Sequence, residues 1–578
     1  MDYLILGGGS AGCVLAGRLS EDPRLTVTLV EAGRDIAPGA MPPDIRARYP
    51  GRAYLDTSNI WSGLQAFMGA AEGNSDDRAT RRYEQARLLG GGSAINALLA
   101  NRGAPDDYNE WGALGAEGWS WEACLPYFLK LERDCDFDGP LHGKSGPLPV
   151  RRISPERMSP FVKAAGQALA ARGYPRRPDQ NGLWEDGVYA ATLVVSETGE
   201  RVPTSVGYLT EEVRRRPNLR IVTDRLVERV LFDGALAIGA VVSPTSGGPE
   251  ETMSAGEIIV SSGAIHTPAL LMRSGVGAGD ELTALGIPIV TDRRGVGRNL
   301  MEHPSIAVSA YLPRKARVTD LGEHHEQAIV RFSSEIADAP RGDMHGAILS
   351  RSGWHAIGHR LGTIFFWVNK SYSKGFVRLT SKEARIEPMV DFRMLSDWRD
   401  MERLKLALRL GAQTLTHPAM EGFCETAFPT SYSPRIAKLA LSGFGRALQR
   451  GAFAAMLDVA GALRAPLIRG LVTQGVQLDA LLADDDALTA FVARNVGGTW
   501  HPACTCRMGA ANDPLAVADG AGRVYGLQNL RICDASLMPS IPRANTNAPT
   551  IMIAERLADL IKMERREVKT ASRPGRLA

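Results

Sequence analysis

The sequence predicts a mixed α/β fold, with α+β character in its second half, and three observations predict it. A glycine pattern at residues 7–12 lies between two strand-like apolar runs. An acidic residue, Glu31, ends the second run nineteen residues after the last glycine of the pattern. A strand of the same apolar character returns at residues 530–533 and leads into a helix. Together they predict a Rossmann-like domain built from separated pieces, with a domain of one sheet and helices inserted between them.

The first element is a strand followed by a tight turn and a helix. Residues 2–6 form an apolar run suited to a buried parallel strand. Gly7 allows the tight turn, Gly9 lets the backbone approach a pyrophosphate, and Gly12 lets the helix pack on the strand. A turn of this kind predicts a dinucleotide site.

The second strand, residues 25–30, ends at Glu31, whose carboxylate can accept both hydroxyls of an adenosine ribose, and Ala32 follows it. The helix that begins near Ser10 and Ala11 points its N–H groups at the phosphates. The glycine pattern alone would be weak evidence, whereas the same pattern between two strands, with an acid at this spacing, is strong. The pattern does not separate NAD from FAD.

The remaining elements follow in chain order. A second glycine-rich loop at residues 86–96 leads into an apolar helix, and a buried strand at 257–262 breaks at a glycine. Between 304 and 500 strands alternate with helices. We therefore expect a discontinuous nucleotide-binding domain of residues 1–160, 215–303 and 505–563, a substrate-binding domain of residues 161–214 and 304–504, and a disordered tail at 564–578.

The composition excludes several classes of protein. A net charge of +3 over 578 residues gives no reason to expect nucleic-acid binding. Seven scattered cysteines form neither a disulfide framework nor a zinc spacing, so no metal site is predicted. The first strand leaves no room for a cleaved signal peptide, and no uncharged run approaches the ~20 residues of a membrane span. We expect a cytoplasmic protein.

Six segments carry a family resemblance that covers residues 2 to about 562. They are the glycine turn with its acid, the loop 86–96, and the stretches 263–277, 295–304, 500–502 and 545–550. In their order along the chain and in their residues, these segments resemble the motifs of the glucose–methanol–choline (GMC) oxidoreductases, with Glu302 where an aspartate is common. The resemblance implies FAD as the cofactor. Within the family the chain is most similar to bacterial members that oxidise furanic alcohols, and choline-dehydrogenase-like members share fewer of its motifs.

The resemblance also implies the catalytic pair, His501 and Asn545. A neutral histidine can take the proton of a substrate hydroxyl, and an amide can donate to the resulting oxygen without titrating. Some family members attach FAD covalently through a histidine one residue before the position of Asn96. That residue is Ile95 in this chain, so we predict non-covalent FAD.

The cofactor contacts come from the glycine patterns and from the resemblance together. Asn96 is expected beside the flavin ring, Asn547 at its pyrimidine end, and Asp534 with Ala535 at the pyrophosphate. Val227 is expected to offer backbone to the adenine, although an ordinary strand valine fits equally well. The full predicted set is Gly7, Gly9, Ser10, Ala11, Gly12, Glu31, Ala32, Arg87, Gly91, Ser93, Asn96, Val227, Asp534, Ala535 and Asn547.

The predicted substrate pocket is apolar and aromatic. By the resemblance we expect Phe366, Val368 and Trp500 to line it, although ordinary core aromatics are the alternative. Only alternate residues of a strand can point one way. An apolar pocket favours benzylic, furanic or aliphatic primary alcohols over sugars. The sequence shows no obvious acidic cluster for the cation of choline.

Residues 430–477 form a basic, amphipathic segment that begins at the helix signal Ser433–Pro434. It is expected to be a lid, an oligomer contact, or a peripheral contact of residues 433–472 with the anionic surface of the inner membrane. Membrane contact would favour a quinone over oxygen as the electron acceptor. The sequence alone leaves the acceptor, the natural alcohol and the oligomeric state open.

The predicted function is FAD-dependent oxidation of a small-molecule primary alcohol to an aldehyde, with hydride transfer to flavin N5. Three alternatives use the same fold. They are a membrane-associated, quinone-dependent alcohol or choline dehydrogenase, a hydroxynitrile lyase, and a light-driven fatty-acid decarboxylase. The intact Trp-His-Pro segment at 500–502 argues against the decarboxylase. A flavin-binding protein without enzymatic activity would tolerate the loss of His501.

Overall fold

A computed structural model of the protein describes residues 1–69, 78–430, 444–473 and 475–571. The strands in these ranges are β1 (Tyr3–Leu6), β2 (Val27–Val30), β3 (Gln65–Gly69), β4 (Arg81–Arg82), β5 (Glu132–Asp134), β6 (Leu148–Arg152), β7 (Gly187–Ala190), β8 (Thr192–Val194), β9 (Leu219–Val222), β10 (Arg225–Asp233), β11 (Leu236–Pro244), β12 (Glu251–Ser254), β13 (Glu257–Val260), β14 (Val276–Gly277), β15 (Thr291–Asp292), β16 (Arg298–Leu300), β17 (Ser305–Tyr311), β18 (Glu326–Phe332), β19 (Met344–Leu349), β20 (Leu361–Val368), β21 (Gly375–Arg378), β22 (Met389–Met394), β23 (Glu425–Pro429) and β24 (Leu530–Ile532).

The helices of the described ranges are mostly short, and two are long. They are α1 (Ser10–Leu19), α2 (Pro43–Arg46), α3 (Pro105–Ala113), α4 (Trp121–Leu131), α5 (Pro160–Ala171), α6 (Thr204–Gly207), α7 (Glu211–Arg214), α8 (Gly263–Arg273), α9 (Gly279–Ala284), α10 (Trp398–Leu415), α11 (Phe444–Val459), α12 (Arg464–Leu471), α13 (Leu478–Ala483), α14 (Asp485–Asn495) and α15 (Asn547–Ala571). Within these ranges no helix has the length and apolar character needed to cross a membrane.

A five-stranded parallel sheet, ordered β24-β13-β1-β2-β9, joins distant parts of the chain. Every residue of β1, β2 and β24 is buried, as expected for strands covered on both faces. Helix α1 returns the chain from β1 to β2, and α15 packs against α1. The mixed α/β fold with a Rossmann-like sheet, predicted from the sequence, is confirmed.

A six-stranded sheet, ordered β23-β17-β20-β19-β18-β7, lies above the carboxyl ends of the parallel strands and forms the wall of the cavity described below. All its neighbouring strands are antiparallel. Helix α10 packs against β17 and β20, with Gly411 directly below the ring of Phe366. The strand β20 is therefore covered on one face by a helix and exposed to the cavity on the other.

A second five-stranded sheet, β16-β21-β22-β3-β4, combines residues 65–82 with residues 298–394. It therefore crosses the boundary that we expected between the two domains at residue 304. The reason is that β22 adds in parallel beside β3, a pairing between distant segments that a local pattern does not reveal. The division into two domains stays a prediction.

The expectation of a disordered tail from residue 564 is wrong for its first part, because α15 continues to Ala571. Two ion pairs hold this extension to the parallel sheet. The Glu564 carboxylate lies 2.6 Å from Arg531, and Arg565 lies 2.6 Å from Asp2. The helix signal at Ser433 and residues 572–578 lie outside the described residues.

Candidate active site

A cavity of about 390 Å³ opens where the chain leaves the carboxyl ends of β1, β2, β13 and β24. In parallel α/β sheets ligands bind at this edge. Three predicted cofactor residues, Gly12, Arg87 and Ser93, do not line the cavity. The twelve that do are Gly7, Gly9, Ser10, Ala11, Glu31, Ala32, Gly91, Asn96, Val227, Asp534, Ala535 and Asn547.

Two glycine turns from separate parts of the chain touch at the floor of the cavity. Gly91 has a φ of +52°, and a Cβ atom there would lie 2.6 Å from the Cα atom of Gly9. Gly9 precedes α1 and gives it no side-chain cap, so the first N–H groups of that helix remain free to meet an anion. The arrangement leaves a narrow channel lined by backbone donors, which suits a pyrophosphate.

Glu31 is fixed by the two turns that surround it. Its carboxylate accepts hydrogen bonds of 2.8 Å from the backbone N–H groups of Gly8 and Gly33. Burial raises the pKa of Glu31 above its ordinary value, and these N–H groups oppose that effect. Each oxygen keeps a free lone-pair direction, so the group can still accept the hydroxyls of a ribose.

At the opposite side of the floor, α15 begins at Asn547, and the Ser10 hydroxyl donates to its amide oxygen at 2.7 Å. The amino ends of α1 and α15 thus meet at one cavity. Asp534 also lines it, but its carboxylate accepts from the Gly263 N–H and the Thr267 hydroxyl. We infer that Asp534 acts by fixing this loop.

The three residues outside the cavity have other contacts. The Gly12 Cβ position would lie 2.0 Å from the carbonyl oxygen of Gly7, so this glycine serves helix packing. The Ser93 hydroxyl donates to the Gly90 carbonyl and accepts from Thr204, which secures the glycine-rich loop. The Arg87 guanidinium lies over the Trp61 ring, 5.6 Å from its centroid. Their predicted direct contact with the cofactor stays a prediction, and the structure places all three beside the residues that line the cavity.

His501 lies in a segment whose backbone is held by one buried carboxylate. The preceding residue, Trp500, has a φ of +61°, which aims the histidine into the cavity. The His501 N–H donates to both carboxylate oxygens of Glu302, at 2.8 and 3.0 Å. Glu302 also accepts from the Tyr83 hydroxyl, the Thr499 hydroxyl and the His303 N–H.

A chain of hydrogen bonds fixes the tautomer of His501. The His303 Nε2 atom lies 3.2 Å from the Pro542 carbonyl oxygen, which can only accept, so Nε2 carries the hydrogen. The Nδ1 atom of His303 is then an acceptor, and the His501 Nδ1 atom lies 3.0 Å from it. His501 therefore carries its hydrogen on Nδ1 and presents the lone pair of Nε2 to the cavity.

Burial keeps this pair of histidines neutral. It lowers the pKa of His303 to about 3, and it lowers the pKa of His501 well below its ordinary value. The Thr499 hydroxyl, 2.7 Å from the His501 Nδ1 atom and 3.0 Å from Glu302, connects the imidazole to the carboxylate. Thr499 and Glu302 would therefore stabilise a positive charge on His501 from the Nδ1 side of its ring.

Asn545 faces the lone pair of His501. Its Nδ2 atom lies 3.0 Å from the His501 Nε2 atom. Its amide oxygen is buried and has no hydrogen-bond partner among the described residues. A buried, unpaired acceptor costs free energy unless a ligand supplies a donor. His501 and Asn545, predicted together from the sequence, thus lie in contact and define one point at which a hydroxyl group can bind.

The wall of the cavity corrects part of the pocket prediction. Phe365 and Trp367 line the cavity, whereas Phe366 and Val368 lie on the other face of β20 in the core. We predicted that alternate side chains of β20 line the cavity, but we chose the wrong face of the strand. A strand that is buried on both sides is apolar at every position, so its sequence does not distinguish the two faces. Trp500 lines the cavity as predicted. It is 47% exposed, and its indole N–H donates to Glu84 at 3.0 Å.

The family model described as GMC oxidoreductase matches residues 1–305 in its N-terminal form and residues 371–554 in its C-terminal form. The chain belongs to the GMC oxidoreductase family. It is 42% identical over 571 residues to 5-(hydroxymethyl)furfural oxidase of Methylovorus sp. (strain MP688), with 97% of this chain and 98% of the relative covered. It is 32% identical over 596 residues to mitochondrial choline dehydrogenase of Mus musculus, covering 97% and 89%.

Solved structures of GMC oxidoreductases agree with this assignment. Pyridoxine 4-oxidase from Mesorbium loti matches with a TM-score of 0.80 and 27% identity, covering 97% of this chain and 99% of that one. Formate oxidase matches with a TM-score of 0.82 and 98% of both chains covered. Its 21% identity makes it evidence for the fold alone.

As a GMC oxidoreductase, the protein is an FAD-dependent oxidoreductase, and its cavity fits that cofactor. The two touching glycine turns leave room for a pyrophosphate and no room for side chains. Glu31 can hold the ribose, and the amino end of α15 borders the opposite side. Ile95 also lines the cavity, and its hydrocarbon side chain offers no atom for a covalent bond. Non-covalent attachment stays a prediction.

Sequence reasoning missed several residues of the site. Arg201, fully buried, donates to the Asn96 side chain at 2.8 Å and to its carbonyl at 2.7 Å, so it fixes the loop beside the expected flavin ring. Thr499, His325 and Glu326 line the cavity. Nothing in the sequence around these residues indicates that they line the cavity, because the chain segments that form its walls meet only in the folded protein. The family motif around position 302 was the only feature of the sequence that could have indicated the hydrogen bonds of Glu302.

Proposed function

We propose that the protein oxidises primary alcohols to aldehydes, with His501 as the base that accepts the hydroxyl proton. When bound, the flavin supplies the acceptor of the hydride. The observation that carries the proposal is the neutral His501 with its Nε2 lone pair aimed at the cavity beside Asn545. The substrate hydroxyl can replace the Asn545 Nδ2 group as the donor to this lone pair, and the Nδ2 group can then donate to the substrate oxygen as it loses its proton.

The substrate class follows from the walls. Phe365, Trp367, Leu98 and Leu99 present aromatic and aliphatic surface to the cavity beside the catalytic pair. Such walls favour an aromatic, furanic or aliphatic body over a sugar. The similarity to a furfural oxidase supports the furanic alcohols first.

Anaerobic reduction of the bound flavin tests the proposal. Mixing the flavin-loaded protein with hydroxymethylfurfural or benzyl alcohol should bleach the flavin absorbance, and His501→Ala should slow bleaching by about 10³-fold. A lyase or a protein without redox activity would show no bleaching with any alcohol, which would refute the proposal. Reoxidation of the reduced protein by oxygen, or only by a soluble quinone, then assigns the electron acceptor.

A second proposal concerns the surface of α11 and α12. Between residues 445 and 473 three large apolar side chains are highly exposed, namely Val459 (82%), Leu463 (67%) and Leu448 (63%). Arg446 and Arg469 are exposed beside them. The described part of this segment exposes no acid, because its single aspartate is buried in ion pairs with Arg317 and Arg360.

This surface supports peripheral contact with an anionic membrane, through apolar insertion and arginine attraction. The expected basic face is smaller than predicted, because Arg450 and Arg464 point inward, with Arg450 5.0 Å from the Trp354 ring centroid and Arg464 3.9 Å from that of Tyr311. Residues 435 and 438 lie outside the described ranges. If the contact exists, a membrane quinone is the natural acceptor.

Vesicle sedimentation tests the contact. The protein should bind vesicles that contain phosphatidylglycerol, and the double variant Val459→Glu/Leu463→Glu should abolish binding. Leu183→Glu is the control, since Leu183 is also exposed but lies outside this segment. Equal binding of all three proteins would refute the membrane proposal and leave the catalytic one untouched.

A further inference from the structure

Two neighbouring polar side chains of the cavity have no role in the chemistry described so far. Glu326, the first residue of β18, is 9% exposed and lines the cavity, as does His325 before it. The Glu326 Oε2 atom and the His325 Nδ1 atom are buried and have no hydrogen-bond partner within the described part of the chain. The two side chains do not pair with each other, because the His325 Nε2 atom lies 3.9 Å from the Glu326 Oε1 atom, beyond hydrogen-bond distance. Two adjacent polar groups are thus left unsatisfied in one cavity.

The strand register places them away from the catalytic pair. Trp367 of β20 pairs with Ser305, which follows His303 closely and bonds the backbone just before the His501 segment. Glu326 pairs with Leu349, and Leu349 pairs with Thr363. Positions 363 and 367 of β20 are four residues apart, which corresponds to about 13 Å along the sheet. Phe365, which lines the cavity, lies between them.

The surroundings favour uncharged forms of both groups. Burial raises the pKa of Glu326 to about 8 and lowers the pKa of His325 well below its ordinary value. The positive charge of Arg351 also lowers the pKa of His325. This guanidinium is stacked on the Tyr49 ring, 4.1 Å from its centroid, and the centroid of that ring lies 5.1 Å from that of His325. A protonated carboxyl donates one hydrogen bond and accepts others, and a neutral imidazole can complete the set.

We propose that Glu326 and His325 form a second polar subsite, which binds an uncharged hydroxyl or carbonyl group at the far end of the alcohol substrate. This inference rests on the proposed oxidation of alcohols at His501. The substrates of this class are bifunctional. They carry one hydroxyl at the catalytic pair, an apolar body against Phe365, and a second oxygen group at Glu326.

The physical reason for the preference is the cost of unpaired buried groups. A substrate without the second oxygen leaves the Glu326 carboxyl and the His325 nitrogen unsatisfied when it fills the cavity. A substrate with that oxygen satisfies both. One or two neutral hydrogen bonds correspond to a preference of roughly tenfold in kcat/KM.

The test compares α,ω-alkanediols with 1-alkanols of the same chain length, from six to twelve carbons, as reductants of the flavin-loaded protein. The ratio of kcat/KM for diol over alkanol should rise to about tenfold at one chain length. Glu326→Gln, which keeps a neutral donor and acceptor, should retain that ratio. Glu326→Met, of similar shape but without a carboxyl group to leave unsatisfied, should reduce it to about one, because the diol loses a partner and the 1-alkanol no longer leaves a buried polar group unpaired.

His325→Phe is the second variant, and flavin content with thermal unfolding checks that each protein is folded. A ratio near one in the wild type, or an unchanged ratio in Glu326→Met, would overturn the inference while 1-alkanol oxidation upholds the catalytic proposal. A preference for ω-amino alcohols that Glu326→Gln abolishes would also overturn it, because the subsite would then bind a cation. Absence of flavin reduction by any alcohol would refute the proposed function itself.

Discussion

The charge of Glu302 is expected to contribute to catalysis, and Glu302→Gln tests it. A Glu302 oxygen and a ring nitrogen of His501 lie within 4.8 Å of each other. At an effective dielectric constant of about 20, a carboxylate at that distance stabilises an imidazolium by about 3.5 kcal/mol. If half of the positive charge has developed on His501 in the transition state, the variant loses about 1.7 kcal/mol, roughly a 20-fold slower reaction.

The assay is the rate of anaerobic flavin reduction at pH 7, normalised to bound flavin. Glu302→Asp is the matched control, because it keeps the charge and shortens the side chain by one methylene. We expect Glu302→Asp to remain within about threefold of the wild type, since the carboxylate can still accept from the same backbone donors.

The free energy of unfolding is measured in parallel. In the wild type the donors around residue 302 face a carboxylate, whereas in Glu302→Gln some of them would face the N–H groups of an amide. The hydrogen bonds from the His501 N–H and the Tyr83 hydroxyl are lost in part, so we expect unfolding to become easier by about 1.5–3 kcal/mol. Equal slowing in the Asp and Gln variants, or a wild-type rate in Glu302→Gln, would refute the electrostatic argument.

Three further predictions concern the fold and the cavity. Gly91→Ala should lose FAD, measured as flavin absorbance per protein, because its Cβ would lie 2.6 Å from the neighbouring turn, whereas Gly112→Ala, which meets nothing within 4 Å, should keep it. Phe365→Ala should change the substrate profile with little loss of stability, and the core variant Phe366→Ala should lower the free energy of unfolding by about 3–5 kcal/mol. Folding lowers the pKa of His303 to about 3, so between pH 6.5 and 3 the unfolded chain binds a proton at this residue that the folded chain does not. The free energy of unfolding should therefore fall by up to about 1.4 kcal/mol per pH unit from this residue as the pH drops from 6.5 towards 3. Urea titrations across that pH range measure the change.

The nucleotide half of the site could be predicted because its information is local. A strand, a glycine turn and an acid at fixed spacing fold in one way, so Gly9, Glu31 and their neighbours line the cavity as expected. The catalytic pair required the family resemblance, because no local rule brings residues 501 and 545 into contact. That contact depends on two loops that meet only in the folded protein.

The substrate half could not be predicted with the same success. The strand β20 is apolar on both faces, so no period-2 signal told Phe365 from Phe366. Glu326 comes from a different strand, and an isolated pair of histidine and glutamate in a sequence usually lies on a solvated surface. Its burial in the cavity follows from the register of three antiparallel strands. The helical continuation past residue 564 is held by ion pairs with Arg531 of β24 and with Asp2 at the start of the chain, two partners that a local pattern does not reveal.

The hydrogen bond between Ser10 and Asn547 has a consequence for the synthesis of the protein. These residues are 537 positions apart, yet both border the same floor of the FAD cavity. Strand β24, which completes one edge of the parallel sheet, is also made late. While the chain is still on the ribosome, its first turn is therefore present without the walls that enclose a nucleotide. FAD can therefore be enclosed only after β24 and Asn547 have been synthesised and have joined the first turn, so we expect an N-terminal fragment that stops before β24 to retain no flavin.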